Sequence, residues 1–327
     1  MTENMKNLWT VLTLYCFATL TVAAQPDAVK QRLSRLPNII EMPYNEAVQK
    51  HINNYTAEHQ KGEFSKMLGR MNIYVAAIEE ALEAEGLPLE LRYLPVVESQ
   101  LKMDAVNKEG AAGLWQFTIT TAKAQGLEVT SLVDERCDLV KSSRAAARLL
   151  KELYTSLGDW TLTIAAYKGG LPTMSKAIQR AGGAKDFWKL YPYLPSDVRD
   201  VVPAFIAANY MMTYYCDYEI TPAALPLPEL SDTVQVHHKL ALGQVAAVCE
   251  IPLDTLKTLN PQYRAGIVPE GYSLQLPLNK VNVFIGREDE VNLYEPEKWL
   301  TMREEVAVPK VVTSPAKHRG RTYRRRR

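Results

Sequence analysis

Residues 91–117 read LRYLPVVESQLKMDAVNKEGAAGLWQF, and this stretch says most about the fold and the chemistry of the chain. Apolar residues at 94–97 predict a short buried helix that ends in one carboxylate, Glu98, and a turn of small residues then opens onto Gln116. A carboxyl group in apolar surroundings at the carboxyl end of a helix resists ionisation, so it can donate a proton at neutral pH. Small residues let a long substrate approach the backbone closely. A proton donor beside such a cradle is what cleavage of a glycan strand requires.

Length and composition are those of a globular protein. The chain has 327 residues, of which 47% are hydrophobic and 23% charged, enough for one medium domain and a smaller second one. The formal net charge is +1, so no nucleic-acid partner is expected. The charge is unevenly placed, because the last ten residues, HRGRTYRRRR, hold six arginines and no acid.

The amino terminus resembles an export signal. Lys6 precedes an apolar run at 8–22 that is too short to span a bilayer comfortably, and small residues at 22 and 24 suit a cleavage site before Gln25. Residues 1–24 are therefore predicted to be a cleaved signal peptide, with an uncleaved anchor as the alternative. Either version places the protein in the periplasm or cell envelope, and no stable transmembrane span is expected in the mature chain.

Three cysteines, Cys137, Cys216 and Cys249, follow the predicted signal. An odd number in an oxidising compartment allows one disulfide plus a free thiol, or three buried thiols. There is no CxxC pair or Cys/His cluster, and the adjacent His237 and His238 would point to opposite faces of a strand. We therefore expect no metal site and no cofactor.

The pattern from about residue 43 to 218 is helical, so the main domain should be mainly α. Apolar residues recur at three- and four-residue spacing, and Gly86 is a natural helix stop. Helices are predicted in the segments 42–56, 64–85, 88–98, 142–157, 160–168 and 197–216.

Beyond residue 220 the pattern changes. The proline-rich stretch TPAALPLPEL occupies residues 221–230. Residues 221–231 are therefore predicted to be a linker that follows a domain at 25–220. Residues 232–286 then predict a small β-α-α-β module, with a further strand-like segment, VNVFI, at 281–285. Residues 287–327 are predicted to form a polar, arginine-rich disordered tail.

Four ordered motifs resemble those of the lytic transglycosylases. They are the pair Glu98-Ser99, GAAGLWQF at 110–117, AAYKGG at 165–170 and LPSDVRDVVPAF at 194–205. DERCDL at 134–139 is shared with a membrane-bound branch of that family. The resemblance covers residues 36–218, and TLKTLNPQYR with SLQLP in the second unit resembles a divergent lysin motif, a module that binds strands containing N-acetylglucosamine.

The resemblance implies a lysozyme-like helical domain that acts on peptidoglycan glycan strands. Glu98 would be the sole catalytic carboxyl group, protonating the bond between N-acetylmuramic acid and N-acetylglucosamine and then closing a 1,6-anhydro ring without water. Asp104 and Glu109 lie in polar sequence and are interpreted as solvated. The residues implied to bind substrate are Ser99, Gly113, Leu114, Gln116, Phe117, Tyr167 and Lys168.

Five positions depart from the family pattern. The family usually has serine at Asn107 and asparagine at Lys168, and it has glutamate, threonine and tyrosine at Asp197, Val198 and Val201. A lysine close to the acid would favour its ionised form and weaken a general acid. A catalytically inactive protein that binds peptidoglycan is therefore a standing alternative, and a lysozyme-type hydrolase is another.

Two further alternatives concern the ends of the chain. The arginine tail either contacts acidic envelope polymers, with the helical domain as a scaffold, or is simply unstructured. The lysin-like module either binds glycan or packs on the first domain and binds nothing.

Overall fold

The structure is a computed structural model that describes residues 25–228 and 230–300; the predicted signal peptide and the arginine-rich end lie outside these ranges. The first part is built from helices. They are α1 Pro26–Leu33, α2 Glu46–Thr56, α3 Glu58–Ala84, α4 Leu94–Ser99, α5 Ile119–Ala124, α6 Leu139–Leu157, α7 Trp160–Arg180, α8 Phe187–Leu190 and α9 Ser196–Tyr214, with 3₁₀ turns at Leu89–Tyr93, Glu135–Cys137, Tyr191–Tyr193 and Tyr215–Tyr218. The mainly α fold class is thereby confirmed.

Helix α9 is the centre of the helical part. Its side chains from Val201 to Met212 are buried all round, and it packs against α2, α4 and α7. A helix that is apolar on every face has to be enclosed by other elements. The surrounding helices therefore take their positions from α9, and α4 with α7 bring the predicted acid and the AAYKGG motif together.

Helix α7 bends in its middle. Gly170 has φ 75° and Pro172 follows within the same element, so the regular helix is interrupted there. Proline lacks the N–H that would continue the ladder, and glycine reaches positive φ at little cost. The bend comes two residues after Lys168.

The second part is a small α/β unit. Its elements are β1 Ser231–Gln235, β2 Leu240–Ala241, α10 Leu242–Cys249, α11 Leu253–Leu259, β3 Ile267–Val268, β4 Ser273–Pro277, α12 Leu278–Leu293 and α13 Pro296–Leu300. Strand β1 pairs antiparallel with β4, with Thr233 opposite Gln275, and the two-residue strands β2 and β3 pair with each other. The predicted β-α-α-β order is present, with one short strand added before α10 and another after α11.

The strand expected at 281–285 is wrong, because these residues lie within α12. Phe284 and Val291 are buried on either side of a kink at Arg287, while Ile285 is exposed. The β-branched residues of VNVFI favour a strand locally, but packing on α10 and β1 selects the helix. Residues 287–300, expected as the start of the disordered tail, are partly helical in α12 and α13.

The segment 221–228 has no helix or strand and runs along α3. Thr221 O accepts a hydrogen bond of 2.5 Å from Ser65 Oγ, and Ala223 N–H donates to Ser65 O at 2.9 Å. A Cβ at Gly69 would lie 2.3 Å from Ala223 O, so only glycine permits this approach. The segment is thus fixed to α3 along its first residues.

None of the helices within the described ranges combines the length and apolar character that crossing a membrane requires.

Candidate active site

Glu98 lies in the last turn of α4. Pro95 occupies the first turn of this helix, where its missing N–H costs nothing. Directly after Ser99 the backbone turns left-handed at Gln100 and Leu101, with φ 56° and 59°. Left-handed residues cannot continue a right-handed helix, so the helix ends here. Each of the two non-glycine residues adopts this conformation at a cost of about 1–2 kcal/mol. The acid is therefore held at a fixed helix end.

The Glu98 carboxyl group is almost enclosed. Its side chain is 3% exposed, Oε2 lies 2.8 Å from Lys168 Nζ, and the buried Oε1 has no hydrogen-bond partner in the described residues. Burial raises the pKa of Glu98 and is the larger effect, while the Lys168 ammonium opposes it, so the pKa is raised overall. The lysine does lie close to the acid, and it does not reverse the effect of burial on the pKa of Glu98.

The loop at 107–117 forms a compact turn beside α4. Ala112 and Phe117 pair as an antiparallel bridge, and the Gly113 N–H donates to Ala105 O at 2.8 Å. Gln116 has φ 50°, and its side-chain nitrogen donates to Gly113 O at 2.8 Å and Ala105 O at 3.2 Å. These bonds fix the Gln116 amide, whose oxygen has no protein hydrogen bond among the described residues and lies at a cavity beside Glu98.

Three residues predicted to bind substrate also hold this loop in place. Ser99 Oγ is buried and lies 2.7 Å from Leu114 O, so it ties α4 to the loop. Leu114 is 1% exposed, and a Cβ at Gly113 would lie 1.7 Å from Arg136 O. The side chains of Ser99 and Leu114 are therefore enclosed where α4 packs on the loop.

Tyr167 reaches the same loop from α7. Its hydroxyl donates to Trp115 O at 2.8 Å, and its ring packs edge-on against Trp115 and tilted against Phe117. The hydrogen bond of this hydroxyl is to the loop carbonyl of Trp115 and not to Glu98. Burial, with a smaller effect from the nearby Glu98 charge, raises the pKa of Tyr167. Trp115 is fully buried and donates to Ser143 Oγ at 3.0 Å, so it is a core residue.

Two cavities meet at Glu98. The larger has a volume of about 290 Å³ and the smaller about 120 Å³, and Glu98, Lys168 and Asp197 line both. Gln116, Phe117 and Tyr167 line the smaller one, with the exposed Glu109 at its edge. Together the cavities form a groove with a single buried carboxylate near its middle.

The larger cavity contains polar residues that the sequence did not indicate. They are His51, Asn54, Gln60 and Asp200, from α2, α3 and α9. His51 Nε2 lies 3.6 Å from Asp200 Oδ1, and burial lowers the pKa of His51 despite the opposing effect of that carboxylate. His51, Asn54 and Gln60 lie outside the four motifs, and Asp200 lies inside the fourth motif, 194–205, without having been singled out there.

The remaining departures from the family pattern have clear local roles. Asn107 Oδ1 accepts from the N–H groups of Glu109 and Ala111 at 2.9 and 3.0 Å, so it shapes the loop. Val198 is buried against Gly169, where a Cβ would lie 2.7 Å from its Cγ2. Val201 is 3% exposed and adds an apolar wall to the larger cavity.

Asp104 and Glu109 are both exposed, as predicted, which leaves Glu98 as the enclosed carboxylate of the groove. No group of three His, Cys, Asp or Glu residues suited to a metal ion occurs within the described part of the chain. Cys137, Cys216 and Cys249 are free thiols, and Cys216 is exposed. Neither cysteine arrangement considered from the sequence is therefore correct: there is no pair among these three, and only two are buried.

Two protein families and three known proteins are similar to parts of this chain. Residues 76–190 match the family described as Transglycosylase SLT domain, and residues 231–293 match that described as Lytic transglycosylase MltD, LysM-like domain. The chain is 31% identical over 195 residues to the membrane-bound lytic murein transglycosylase D of Escherichia coli K12, and equally to that of E. coli O6:H1. It is 34% identical over 110 residues to a putative tributyltin chloride resistance protein of Alteromonas, covering 33% of this chain and 53% of that protein.

The match to the E. coli proteins covers 58% of this chain and 43% of theirs, so the chain aligns with less than half the length of these relatives. The resemblance to lytic transglycosylases and to a lysin motif is confirmed. The fourth motif, 194–205, lies beyond the matched SLT region.

Proposed function

We propose that this chain, which carries a transglycosylase SLT domain followed by a LysM-like domain, cleaves the β-1,4 bond between N-acetylmuramic acid and N-acetylglucosamine in peptidoglycan and leaves 1,6-anhydro ends. The observation that carries the proposal is the enclosed Glu98 carboxyl group, with a raised pKa and an unpartnered Oε1 at the groove. A protonated acid is needed at the start of the reaction, and this environment favours one.

The reaction needs one carboxyl group. Glu98 gives its proton to the glycosidic oxygen as the bond from that oxygen to the muramoyl anomeric carbon breaks, and the N-acetylglucosamine side leaves as an alcohol. The Glu98 carboxylate then takes the proton of the muramoyl 6-hydroxyl, whose oxygen bonds to the anomeric carbon. Ordinary glycosidases use two carboxylates. Here the 6-hydroxyl replaces water, so Glu98 ends the cycle protonated again.

Lys168 has to release Glu98 before the acid step. The Lys168 side chain is one third exposed, so its ammonium can turn toward solvent when a sugar enters the groove. Separation from the ammonium removes the effect that lowers the Glu98 pKa and leaves burial acting alone. Substrate entry thus strengthens the acid's hold on its proton.

The proposed substrate contacts follow from the groove. Gln116 offers its free amide oxygen to a sugar hydroxyl or amide, and Tyr167 lines the same cavity. Phe117, which is 2% exposed, would support this wall of the cavity from the core. Lys168 and Asp197 lie where the two cavities meet and would contact the sugars that flank the scissile bond. Ser99, Gly113 and Leu114 would support this surface from below.

Digestion of purified sacculi tests the proposal. Mass spectrometry should detect anhydro-muropeptides with the native chain, and Glu98→Gln should abolish them while the protein remains folded. Glu109→Gln is the matched control, because it changes an exposed carboxylate of the same groove and should keep activity. Reducing muramoyl ends would instead identify a lysozyme-type hydrolase and overturn the anhydro mechanism.

A second candidate is a peptidoglycan-binding protein without catalysis, and the 2.8 Å contact between Lys168 and Glu98 favours it. If that ion pair persists with glycan bound, the native chain binds sacculi but yields no anhydro ends, and Lys168→Asn should restore them. If the chain is active, Lys168→Met should move the alkaline limb of the pH profile of kcat/KM upward, because kcat/KM reports the free enzyme, in which the ammonium contacts Glu98 and lowers its pKa, and a general acid acts below its pKa. Lys176→Met, an exposed lysine on α7, should leave the profile unchanged.

We further propose that the protein is exported to the cell envelope, in keeping with the predicted signal and with the membrane-bound relatives. The LysM-like domain would bind glycan strands, and the arginine tail would contact acidic polymers. Residues 1–24 and 301–327 lie outside the described residues. Amino-terminal sequencing of the mature protein would test cleavage before Gln25. Deletion of residues 301–327 should abolish salt-sensitive binding to acidic polymers.

A further inference from the structure

The LysM-like domain contacts the segment 128–137 of the helical part through main-chain hydrogen bonds. Val133 and Tyr263 form an antiparallel bridge, with Asp134 N–H donating to Gln262 O at 2.8 Å and Arg264 N–H donating to Leu132 O at 2.9 Å. Val133 also belongs to the apolar core of the LysM-like domain. The two parts are therefore joined by main-chain pairing and shared packing.

A second contact strengthens this junction. Tyr272 of the LysM-like domain donates its hydroxyl to Glu128 Oε2 at 2.5 Å. Arg264 donates to Asp134 Oδ2 at 2.5 Å, and both side chains are nearly enclosed, at 11% and 7% exposed. Charged pairs that are shielded from water hold geometry far better than exposed ones.

Asp134 connects the junction to Arg136. Its Oδ1 accepts from Arg136 Nε and its Oδ2 from Arg136 Nη2, both at 2.8 Å, so the fork is bidentate. Burial opposes ionisation of Asp134, but Arg136 and Arg264 outweigh it and lower its pKa. The carboxylate is thus shared between one arginine from each part of the chain.

Arg136 in turn holds the loop beside the acid. The guanidinium is 1% exposed, and its Nη1 donates to Gly110 O at 2.8 Å and Phe117 O at 3.1 Å. The same residue's carbonyl fills the space where a Cβ of Gly113 would lie. One side chain therefore fixes both ends of the loop that carries Gln116.

We propose that the LysM-like domain is a structural part of the catalytic unit, in which Arg264 is a positioning residue that acts through Asp134 and Arg136 on the loop 110–117. The inference rests on the proposed function only in assigning substrate contact to that loop. The domain covers the Asp134–Arg136 pair and keeps water from it. When the LysM-like domain packs less tightly here, water reaches the Arg136 guanidinium and replaces Gly110 O and Phe117 O as its hydrogen-bond partners. The loop 110–117 then becomes more mobile.

Amide hydrogen exchange of the full-length chain tests this without relying on activity. Arg264→Ala should speed exchange of amides within 110–117 about tenfold, the size expected from losing one charge-assisted hydrogen bond. Lys257→Ala, an exposed lysine on α11 of the same domain, should leave these amides unchanged. Exchange that rises only in 128–137 and 260–264 while 110–117 stays protected would overturn the proposal.

Two additions guard against misreading the result. Tyr272→Phe removes only the hydrogen bond to Glu128, so it should give a smaller rise in the same loop if Arg264→Ala fails to fold. On soluble glycan strands Arg264→Ala should raise KM several-fold with a smaller change in kcat, because the loop carries Gln116, the proposed substrate contact, whereas the acid is carried by α4. A fall in kcat with KM unchanged would place the effect at the acid and contradict a role through the loop. An inactive native chain would sink the proposed function but leave the exchange test intact.

Discussion

Gly113→Ala offers a sharp test of how the loop beside Glu98 is held. Gly113 has φ 83°, and an added Cβ would lie 1.7 Å from the Arg136 carbonyl oxygen. Real Cβ atoms do not approach closer than 3.0 Å, so loop and carbonyl must part by about 1.3 Å. The Arg136 bond to Gly110 O, now 2.8 Å, would then exceed hydrogen-bonding length if the side chain moves with its backbone.

The magnitude follows from two contributions. Alanine at positive φ costs about 1–2 kcal/mol, and each hydrogen bond lost by a charged group costs about 1.5–3 kcal/mol. We therefore expect Gly113→Ala to lower the free energy of unfolding by about 3–5 kcal/mol.

Gly110→Ala provides the matched control. Gly110 has φ 82° but nothing lies within 4 Å of an added Cβ, so only the conformational cost of about 1–2 kcal/mol should appear. Chemical denaturation of both variants, with unchanged m-values, measures the difference. Equal destabilisation of the two would refute the reasoning, because the overlap with Arg136 would then cost nothing.

Three further outcomes are expected. Tyr167→Phe removes a buried hydrogen bond to a loop carbonyl, so denaturation should show a loss of about 1–2 kcal/mol; a collapse of kcat with stability unchanged would contradict this structural role. Phe284→Ala should cost about 3–5 kcal/mol because this ring is 1% exposed, whereas Ile285→Ala, at an exposed position, should stay within about 0.5 kcal/mol. Asp200→Asn should lower the pKa of His51 further, since that carboxylate raises it against burial; an NMR titration showing a higher pKa would exclude the contact.

Much of the helical part could be predicted because its signals are local. The 3.6-residue apolar period, the stop at Gly86 and the capping residues act within a few residues of chain. Asp138, for example, caps α6 by accepting from Lys141 N–H at 2.8 Å. The apolar run before Glu98 likewise indicated its burial, because neighbours in a short helix share its surroundings.

Other features required the tertiary fold. Ser99 was predicted to bind substrate beside the acid. Its hydroxyl donates a hydrogen bond to Leu114 O, a contact that forms only when α4 packs against the loop. VNVFI has strand propensity, and contacts with α10 and β1 made it a helix.

The helical class, the position of the acid at a helix end and the order of its motifs could be predicted from the amino-acid sequence, because each depends on residues close together in the chain. The packing of distant segments was needed to establish which groups share the groove and how the LysM-like domain reaches the loop. His51 comes from α2, and Arg264 meets Asp134 across 130 residues. Such pairings depend on how helices pack, and burial, which sets the pKa of Glu98, exists only after that packing is complete.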